Sequence, residues 1–167
     1  MSQRVLIIGV SESGKSTLAR RLIAQAGLPY FVHDPILSQW DKARLVTDNI
    51  AVFIDAVERE TYPRIAVIDE AGEVLKVGDY GNHKVFTRWR HNAVLPIAIA
   101  QRYKMIAPNV RVNATDVYVF ETAKVDCDEL AIDFNCPGIA EAANLDSYEF
   151  FHIRKKNGKK VLTRHKL

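Results

Sequence analysis

Residues 5–16 are Val-Leu-Ile-Ile-Gly-Val-Ser-Glu-Ser-Gly-Lys-Ser, an apolar run followed by a complete Gly-x-x-x-x-Gly-Lys-Ser motif. The backbone N–H groups of such a loop form a concave nest for phosphate, and the helix that follows adds its positive N-terminal end. Glycine at positions 9 and 14 permits torsions and close approaches that a Cβ would obstruct. The stretch therefore predicts a buried strand, a P-loop (Walker A motif) and a helix.

The motif also predicts the ligands. In a P-loop the lysine, here Lys15, reaches the β- and γ-phosphates, and the hydroxyl of Ser16 is a ligand for Mg²⁺. We therefore expect ATP and Mg²⁺ as cofactors. The residues predicted to surround the nucleotide are Gly9, Val10, Ser11, Glu12, Ser13, Gly14, Lys15, Ser16 and Thr17. A chance match in a loop rich in Gly and Ser is disfavoured, because a strand precedes it and a helical stretch follows it.

A second motif, four apolar residues followed by Asp69 and Glu70, comes some fifty residues later and has the Walker B pattern. The strand would carry Asp69 to the rim of the sheet, where it can hold the hydration shell of Mg²⁺ beside Ser16. Glu70 would then orient or deprotonate a water for attack on the γ-phosphate. Transfer to water needs such a base, and the sequence has no guanine-recognising Asn-Lys-x-Asp. The pair therefore favours ATP hydrolysis.

Other polar residues could complete the site. Gln101 ends an apolar strand, and in ATPases with an additional strand a polar residue there lies between the two Walker elements and senses the γ-phosphate. Arg88 and Arg90 are candidates for an arginine finger supplied by a neighbouring subunit. Arg102 and Arg111 compete for that role, and any of these arginines could instead be an ordinary surface cation.

Short apolar runs alternate with helical stretches, which predicts one α/β domain over residues 1–167 with a mostly parallel sheet. We expect a P-loop NTPase fold of the additional-strand, RecA-like type, a three-layer sandwich. The predicted strands are 5–10, 30–33, 64–69, 93–100 and 116–121, and the predicted helices are 16–25, 47–60, 82–92 and 126–144, the last broken at Pro137-Gly138. Segments 148–154 and 160–164 predict a C-terminal β-hairpin around Asn157-Gly158, a pair typical of a type I′ turn. The most loop-like internal stretch is 77–84.

Composition and charge indicate where the protein is located, the state of its cysteines and the kind of partner it binds. No apolar stretch approaches the ~20 residues of a membrane span and no signal peptide is evident, so we expect a cytoplasmic protein without a membrane span. Cys127 and Cys136 are expected to be free thiols. The net charge is +3, but residues 154–167 carry seven Lys or Arg and no acid, whereas the first 153 residues have 16 basic and 20 acidic residues. Such a basic segment suggests a polyanion such as DNA or RNA, or simply a solvated hairpin.

Several motifs together resemble the FtsK–HerA superfamily, and most closely its short viral genome-packaging ATPases and the filamentous-phage assembly ATPases. They are Gly9–Ser16, Asp34-Pro35, Ile68-Asp69-Glu70-Ala71, Arg90-His91, Ala100-Gln101-Arg102 and the terminal hairpin. The resemblance implies a ring-forming homo-oligomer, often hexameric, that couples ATP hydrolysis to translocation of double-stranded DNA.

By the same resemblance, Lys15, Ser16, Asp69, Glu70 and Gln101 take the family's site roles. A viral packaging role adds a capsid or portal partner, in the host cytoplasm or the virion. DNA contacts would come from the loop at 77–84 or from the hairpin.

Two other functions remain open. A small nucleoside or nucleotide kinase fits the length and could use Asp34, at the end of a strand, as the base for its acceptor. Against it, no arginine-rich lid is evident and Glu70 would have no role. A nucleotide-binding switch whose hairpin docks on a partner is the third hypothesis, but a switch does not require a hydrolytic carboxylate.

Overall fold

In the computed structural model, which describes residues 3–156 and 159–167 apart from the side chains of Arg90 and Lys156, the strands form one eight-stranded sheet. The strands are β1 (Val5–Ile8), β2 (Tyr30–His33), β3 (Leu45–Thr47), β4 (Arg64–Ile68), β5 (Val94–Ala100), β6 (Asp116–Val119), β7 (Glu149–Lys156) and β8 (Lys159–Lys166). Their order is β3-β2-β4-β5-β1-β6-β7-β8. The first six in this order are parallel, and β7 and β8 are antiparallel. The predicted α/β fold, mostly parallel sheet and terminal hairpin are thereby confirmed.

Helices cover both faces of this sheet. They are α1 (Lys15–Ala26), α2 (Ile50–Arg59), α3 (Ala71–Val74), α4 (Lys84–Thr87), α5 (Pro108–Arg111) and α6 (Lys124–Phe134), with 3₁₀ helices at Trp89–Asn92, Tyr103–Met105 and Pro137–Asn144. α1 starts directly after Gly14, whose φ of +111° is in the left-handed region, and ends at Gly27, also left-handed. Glycine tolerates both conformations without steric cost.

Two separate hydrophobic clusters show that the molecule has three layers. In β1, Leu6 and Ile8 face a cluster that includes residues of α2 and α6, whereas Val5 and Ile7 face a second cluster with α1 and Trp40. All four residues of β1 are buried. A parallel strand covered on both faces needs apolar side chains in both directions, which explains the continuous run of apolar residues in the sequence.

β5 lies between β1 and β4, so one strand separates the P-loop from the Asp-Glu pair. Its register aligns Ile97 with Val5 of β1 and with Val67 of β4. This is the additional-strand arrangement that was expected. Because parallel strands all end at the same edge of a sheet, the segments that follow β1, β4 and β5 meet there.

The boundaries of several elements differ from the predictions. β1, β4 and β6 end one or two residues early, at Ile8, Ile68 and Val119. The helix predicted from residue 47 starts at Ile50, because the Asn49 side chain caps it by accepting hydrogen bonds from the N–H groups of Ala51 and Val52. A side-chain oxygen at this position satisfies amides that otherwise lack partners.

The residues just before this cap form β3, a short strand that was not predicted. The other differences are in the helices. The segment 82–92 is the short α4 followed by the 3₁₀ helix at Trp89–Asn92. The segment 126–144 is divided into α6 and the 3₁₀ helix at Pro137–Asn144 by Asn135, which has a φ of +47°.

The predicted loop at 77–84 lies between α3 and α4 and extends into the first residue of α4. The predicted Asn157-Gly158 turn lies outside the described residues. Both cysteines are free, as expected. Within the described residues, no helix combines the length and apolar character that crossing a bilayer requires.

A buried arginine connects three chain segments at the end of the sheet where β4 begins, opposite to the end where β1, β4 and β5 finish. Arg64, at the start of β4, is 1% exposed. Its guanidinium donates to the carbonyl oxygens of Val57 in α2 (2.7 Å), Tyr62 (2.6 Å) and Asn92 in the 3₁₀ helix before β5 (3.2 Å). A buried charge is tolerated when hydrogen bonds of this kind replace those it would make to water.

We predict that Arg64→Met lowers the free energy of unfolding by about 2–4 kcal/mol, because buried carbonyl groups lose charge-assisted hydrogen bonds. Urea unfolding followed by circular dichroism measures this change. The control is Arg59→Met, which removes an exposed arginine paired with Asp55 and should cost less than about 1 kcal/mol. Equal effects of the two substitutions would contradict the clamping role of Arg64.

Candidate active site

The P-loop is fixed to the sheet at its first residues. The N–H of Gly9 donates to Ala100 O at the end of β5 (3.2 Å), and the N–H of Val10 donates to Glu121 O beyond β6 (2.9 Å). A Cβ on Gly9 would lie 2.6 Å from the Cβ of Phe120, closer than real Cβ atoms approach, so position 9 requires glycine. The Ser13 hydroxyl closes the loop by donating to Val10 O (2.8 Å).

Beyond the loop, the N-terminus of α1 opens into a cleft. The first amides of a helix have no partners within it, so those of α1 are available to an anion. The cleft has a volume of about 570 Å³ and is lined by Glu12, Gly14, Lys15, Ser16, Thr17, Ser147 and Tyr148. A cavity of this size is in the usual range for a small-molecule site.

Lys15 lies between the loop and the acidic pair. Its Nζ donates to Val10 O (2.6 Å). Burial lowers the pKa of Lys15, and the nearby charges of Glu70 and Asp69 raise it in partial compensation. Lys15 thus lines the cleft and lies close enough to the two carboxylates to feel their charge.

The Asp69–Glu70 turn follows β4 directly. The N–H of Asp69 continues the sheet pattern by donating to His33 O (2.9 Å). Asp69 Oδ1 accepts from the N–H of Glu70 (2.9 Å), and Glu70 has a left-handed backbone with a φ of +48°. Burial raises the pKa of Asp69, and the charges of Asp34 and Glu70 raise it further.

Gln101, the candidate sensor of the γ-phosphate, lies next to Glu70. Its Nε2 donates to Glu70 Oε1 (3.1 Å), and the two residues follow the neighbouring strands β5 and β4. A polar side chain that donates a hydrogen bond to the Glu70 carboxylate can fix the orientation of that carboxylate. The two Walker elements and the polar end of β5 thus come together at one edge of the sheet.

The residues at this edge fit a magnesium ion bound together with phosphate. Asp69 lies where Asp34 and Glu70 add negative charge, which favours a cation, and Ser16 offers a hydroxyl oxygen at the start of α1. Among the described residues no group of three or more His, Cys, Asp or Glu is arranged to hold a metal. Mg²⁺ at nucleotide sites typically takes only one or two protein oxygens, with phosphates and waters completing its shell. Ser16 and Asp69 match that pattern.

Comparison with solved structures identifies the fold. The genome packaging NTPase B204 from Sulfolobus turreted icosahedral virus 2, in complex with AMPPCP, superimposes with a TM-score of 0.80 over 98% of this chain and 97% of its own, at 17% identity. This chain has the P-loop NTPase fold. This is the fold that the resemblance in the sequence implied.

Two further solved structures agree less closely. VirB4 of Thermoanaerobacter pseudethanolicus has a TM-score of 0.72 at 10% identity, over 98% of this chain and 89% of its own. The N-terminal domain of zonular occludens toxin from Neisseria meningitidis has a TM-score of 0.62 at 15% identity, over 100% and 95%. No protein-family model and no curated protein sequence matches the chain.

The candidate arginines of this P-loop NTPase fold divide into two groups. Arg102 pairs with the buried Asp126 (2.6 Å), and Arg111 pairs with Glu129 (2.6 Å) while its guanidinium covers the ring of Tyr103. Both therefore have partners in their own chain. Arg88 is exposed and precedes the 3₁₀ helix before β5; Arg90 lies in that helix, and its side chain is not described. The seven-residue β5 separates this helix from Gln101 by roughly 20 Å.

Asp34, the residue on which the kinase hypothesis depends, is occupied structurally. Its side chain is fully buried. Oδ2 accepts from the Trp40 indole and the N–H of Ser38, and Oδ1 from the N–H of Ile36, all at 3.0 Å. Burial alone would raise the pKa of Asp34, but these hydrogen bonds outweigh it and lower the pKa. A carboxylate with these partners holds the loop after β2 rather than facing a substrate.

The sequence analysis missed two residues that line the cleft, Ser147 and Tyr148. They come from the segment just before β7, and the N–H of Tyr148 donates to Ser13 O in the P-loop (3.1 Å). Their position depends on the antiparallel register of β7 against β6, which starts that strand at the edge with the P-loop. No local motif marks such a contact.

We predict that Asp34→Asn lowers the free energy of unfolding by about 1–3 kcal/mol near pH 7, because an amide nitrogen would face hydrogen-bond donors. The folded-state pKa of Asp34 is lowered, so its contribution is present above the unfolded pKa of about 4 and is lost as the pH falls through the folded value. Urea unfolding between pH 7 and pH 3 should therefore show the difference between wild type and variant shrinking at acid pH. A variant as stable as wild type, but inactive, would instead support a chemical role.

Proposed function

We propose that this chain is a Mg²⁺-dependent ATPase that hydrolyses ATP to ADP and phosphate. It uses that reaction to translocate double-stranded DNA, as in viral genome packaging. The observation that carries the hydrolytic part is the hydrogen bond between Glu70 and Gln101 beside the P-loop. Nucleotide binding is supported by the fold shared with NTPase B204, whose structure contains AMPPCP. DNA as the substrate is supported by a B204 described as a DNA-packaging ATPase, 19% identical with a TM-score of 0.78.

In the proposed reaction the P-loop amides and Lys15 would hold the phosphates, and Ser16 and Asp69 would hold Mg²⁺, which would supply positive charge to the phosphates. Glu70 accepts a proton from the attacking water, and its carboxylate is kept in place by Gln101. Because Gln101 directly follows β5, a change at the γ-phosphate can pass through Glu70 and Gln101 into the sheet. This is the proposed sensing role of Gln101.

Glu70→Gln is predicted to lower the rate of ATP hydrolysis by about 10²–10⁴-fold, the usual contribution of a general base, with the affinity for ATP retained. Phosphate release measures the rate, and titration with a non-hydrolysable analogue measures the affinity. The matched control is Glu73→Gln, an exposed carboxylate one turn later in α3, which should hydrolyse ATP at the wild-type rate. Wild-type turnover in the Glu70 variant would remove Glu70 from the mechanism.

The proposed arginine finger requires a second subunit. Arg88 and the Arg90 backbone lie near the start of β5, whereas the P-loop, Glu70 and Gln101 lie at the opposite edge. An arginine so placed is too far away to stabilise charge in its own site, so an arginine finger at this position requires a neighbouring subunit. This supports a homo-oligomer, for which we propose a hexameric ring. A capsid or portal partner and a location in the host cytoplasm or the virion follow from the packaging role.

We propose that the basic hairpin formed by β7 and β8 contacts DNA. Its basic residues differ in whether their side chains already have partners in the chain. Four of its basic side chains have partners in the chain: Arg154 with Asp116, Lys155 with Val112 O, Lys160 with Asp133 O, and Arg164 with Glu149. Lys159 and Lys166 are exposed, and their side chains make no hydrogen bond or ion pair within the described residues. These two are the best candidates for phosphate contacts. The loop at 77–84 is the other candidate.

The double substitution Lys159→Gln and Lys166→Gln is predicted to reduce the slope of log affinity for duplex DNA against log salt by about 1.8, since each phosphate contact contributes about 0.9. Fluorescence anisotropy with a labelled duplex at several salt concentrations gives the slope. The control pair is Lys42→Gln and Lys124→Gln, two exposed lysines outside the hairpin, with the wild-type slope expected. An unchanged slope in the hairpin variant would exclude these two lysines as phosphate contacts.

A further inference from the structure

The order of the strands determines on which side of β1 the γ-phosphate and the base of a bound nucleoside triphosphate lie. Asp69-Glu70 and Gln101 follow β4 and β5, which lie on one side of β1 and its P-loop. The γ-phosphate must point to that side if Glu70 is to act on it. The ribose and base therefore leave the P-loop on the opposite side, towards β6 and β7.

Tyr148 is the aromatic residue that lines the cleft on that side. It lies immediately before β7, and its ring reaches Gly14: a Cβ on Gly14 would be 3.0 Å from Tyr148 Cδ1. Tyr148 as a whole is nevertheless 48% exposed. One part of it therefore covers the P-loop while another part faces the cleft that holds Lys15, Ser16 and Thr17.

The backbone holds Tyr148 in this position. Its N–H donates to Ser13 O of the P-loop (3.1 Å), and its carbonyl oxygen accepts from the N–H of Leu167 (2.9 Å). Its φ is +66°, in the left-handed region that is uncommon for a residue other than glycine. Such a conformation is kept only where the surroundings impose it, and it is frequent at ligand sites.

We propose that Tyr148 stacks on the base of the bound nucleoside triphosphate, an inference that rests on the proposed nucleotide site. Every base presents a π-face, so stacking gives affinity with little discrimination between bases. Larger aromatic faces bury more surface, so purine nucleotides are favoured over pyrimidine nucleotides. The site would accept both ATP and GTP, with Tyr148 supplying affinity and the P-loop supplying recognition of phosphate.

The test compares two ligands that differ in whether they have a base. Isothermal titration calorimetry is performed with a non-hydrolysable ATP analogue and with inorganic tripolyphosphate, both with Mg²⁺. We expect Tyr148→Ala to weaken binding of the ATP analogue by roughly 5- to 150-fold, the range of single-base stacking, without changing the affinity for tripolyphosphate. Tyr148→Phe keeps the ring and should bind both ligands as wild type does. Tyr62→Ala, at another exposed tyrosine, is the matched control.

Three results would overturn the proposal, and they are distinguishable. Equal loss of affinity for both ligands in Tyr148→Ala would mean that the ring only supports the P-loop. Unchanged affinity for both would mean that the base lies elsewhere. Failure of wild type to bind either ligand would refute the nucleotide site itself, and with it the proposed function.

A second measurement serves if Tyr148→Ala does not fold. In Tyr148→Trp the indole takes the place of the phenol, and its fluorescence reports stacking directly. The ATP analogue should quench this emission and tripolyphosphate should not, with wild type giving the background from the buried Trp40 and Trp89. Absence of quenching at saturating analogue would contradict the stacking.

Discussion

The parallel pairing of β4, β5 and β1 is the constraint on which the candidate site depends. Their register brings the residues after Ile68, Ala100 and Ile8 to one edge of the sheet, so that Gly9 bonds to Ala100 O and Gln101 bonds to Glu70. A shift of one residue in β5 would turn its buried side chains to the opposite face and separate Gln101 from Glu70.

The charged side chains near the P-loop have different surroundings, which shift their pKa values in different directions. Asp34 is stabilised as an anion by three hydrogen bonds, whereas Asp69 has a raised pKa because it is buried near two other carboxylates. Lys15 is the cation that both Asp69 and Glu70 influence. A divalent cation beside Asp69 would favour the ionised carboxylate, since an adjacent positive charge lowers the pKa of an acid. The protein thus supplies an excess of negative charge that suits a metal ion accompanying the nucleotide.

Much of this arrangement could be predicted because its signals are local. The P-loop and the Asp69-Glu70 pair are contiguous motifs, and the apolar run of β5 ended at Gln101 in the expected place. β3 was missed because Leu45, Val46 and Thr47 are too few to form a recognisable run. The role of Asp34 and the position of Tyr148 were missed for another reason. Both depend on contacts that only the folded chain creates, with Trp40 in one case and with Ser13 in the other.

The two outer strands of the sheet, β3 and β8, are protected from pairing with another chain in different ways. β3 has only three residues, a length that offers little to a second strand. β8 has eight residues, almost all exposed, including Val161. Lysine and arginine on an edge strand oppose strand addition, because a paired strand would bring like charges together. The basic residues of β8 therefore oppose the addition of a second strand to β8 whether or not they contact DNA, and replacing all of them with uncharged residues would leave this strand open to fibrous aggregation.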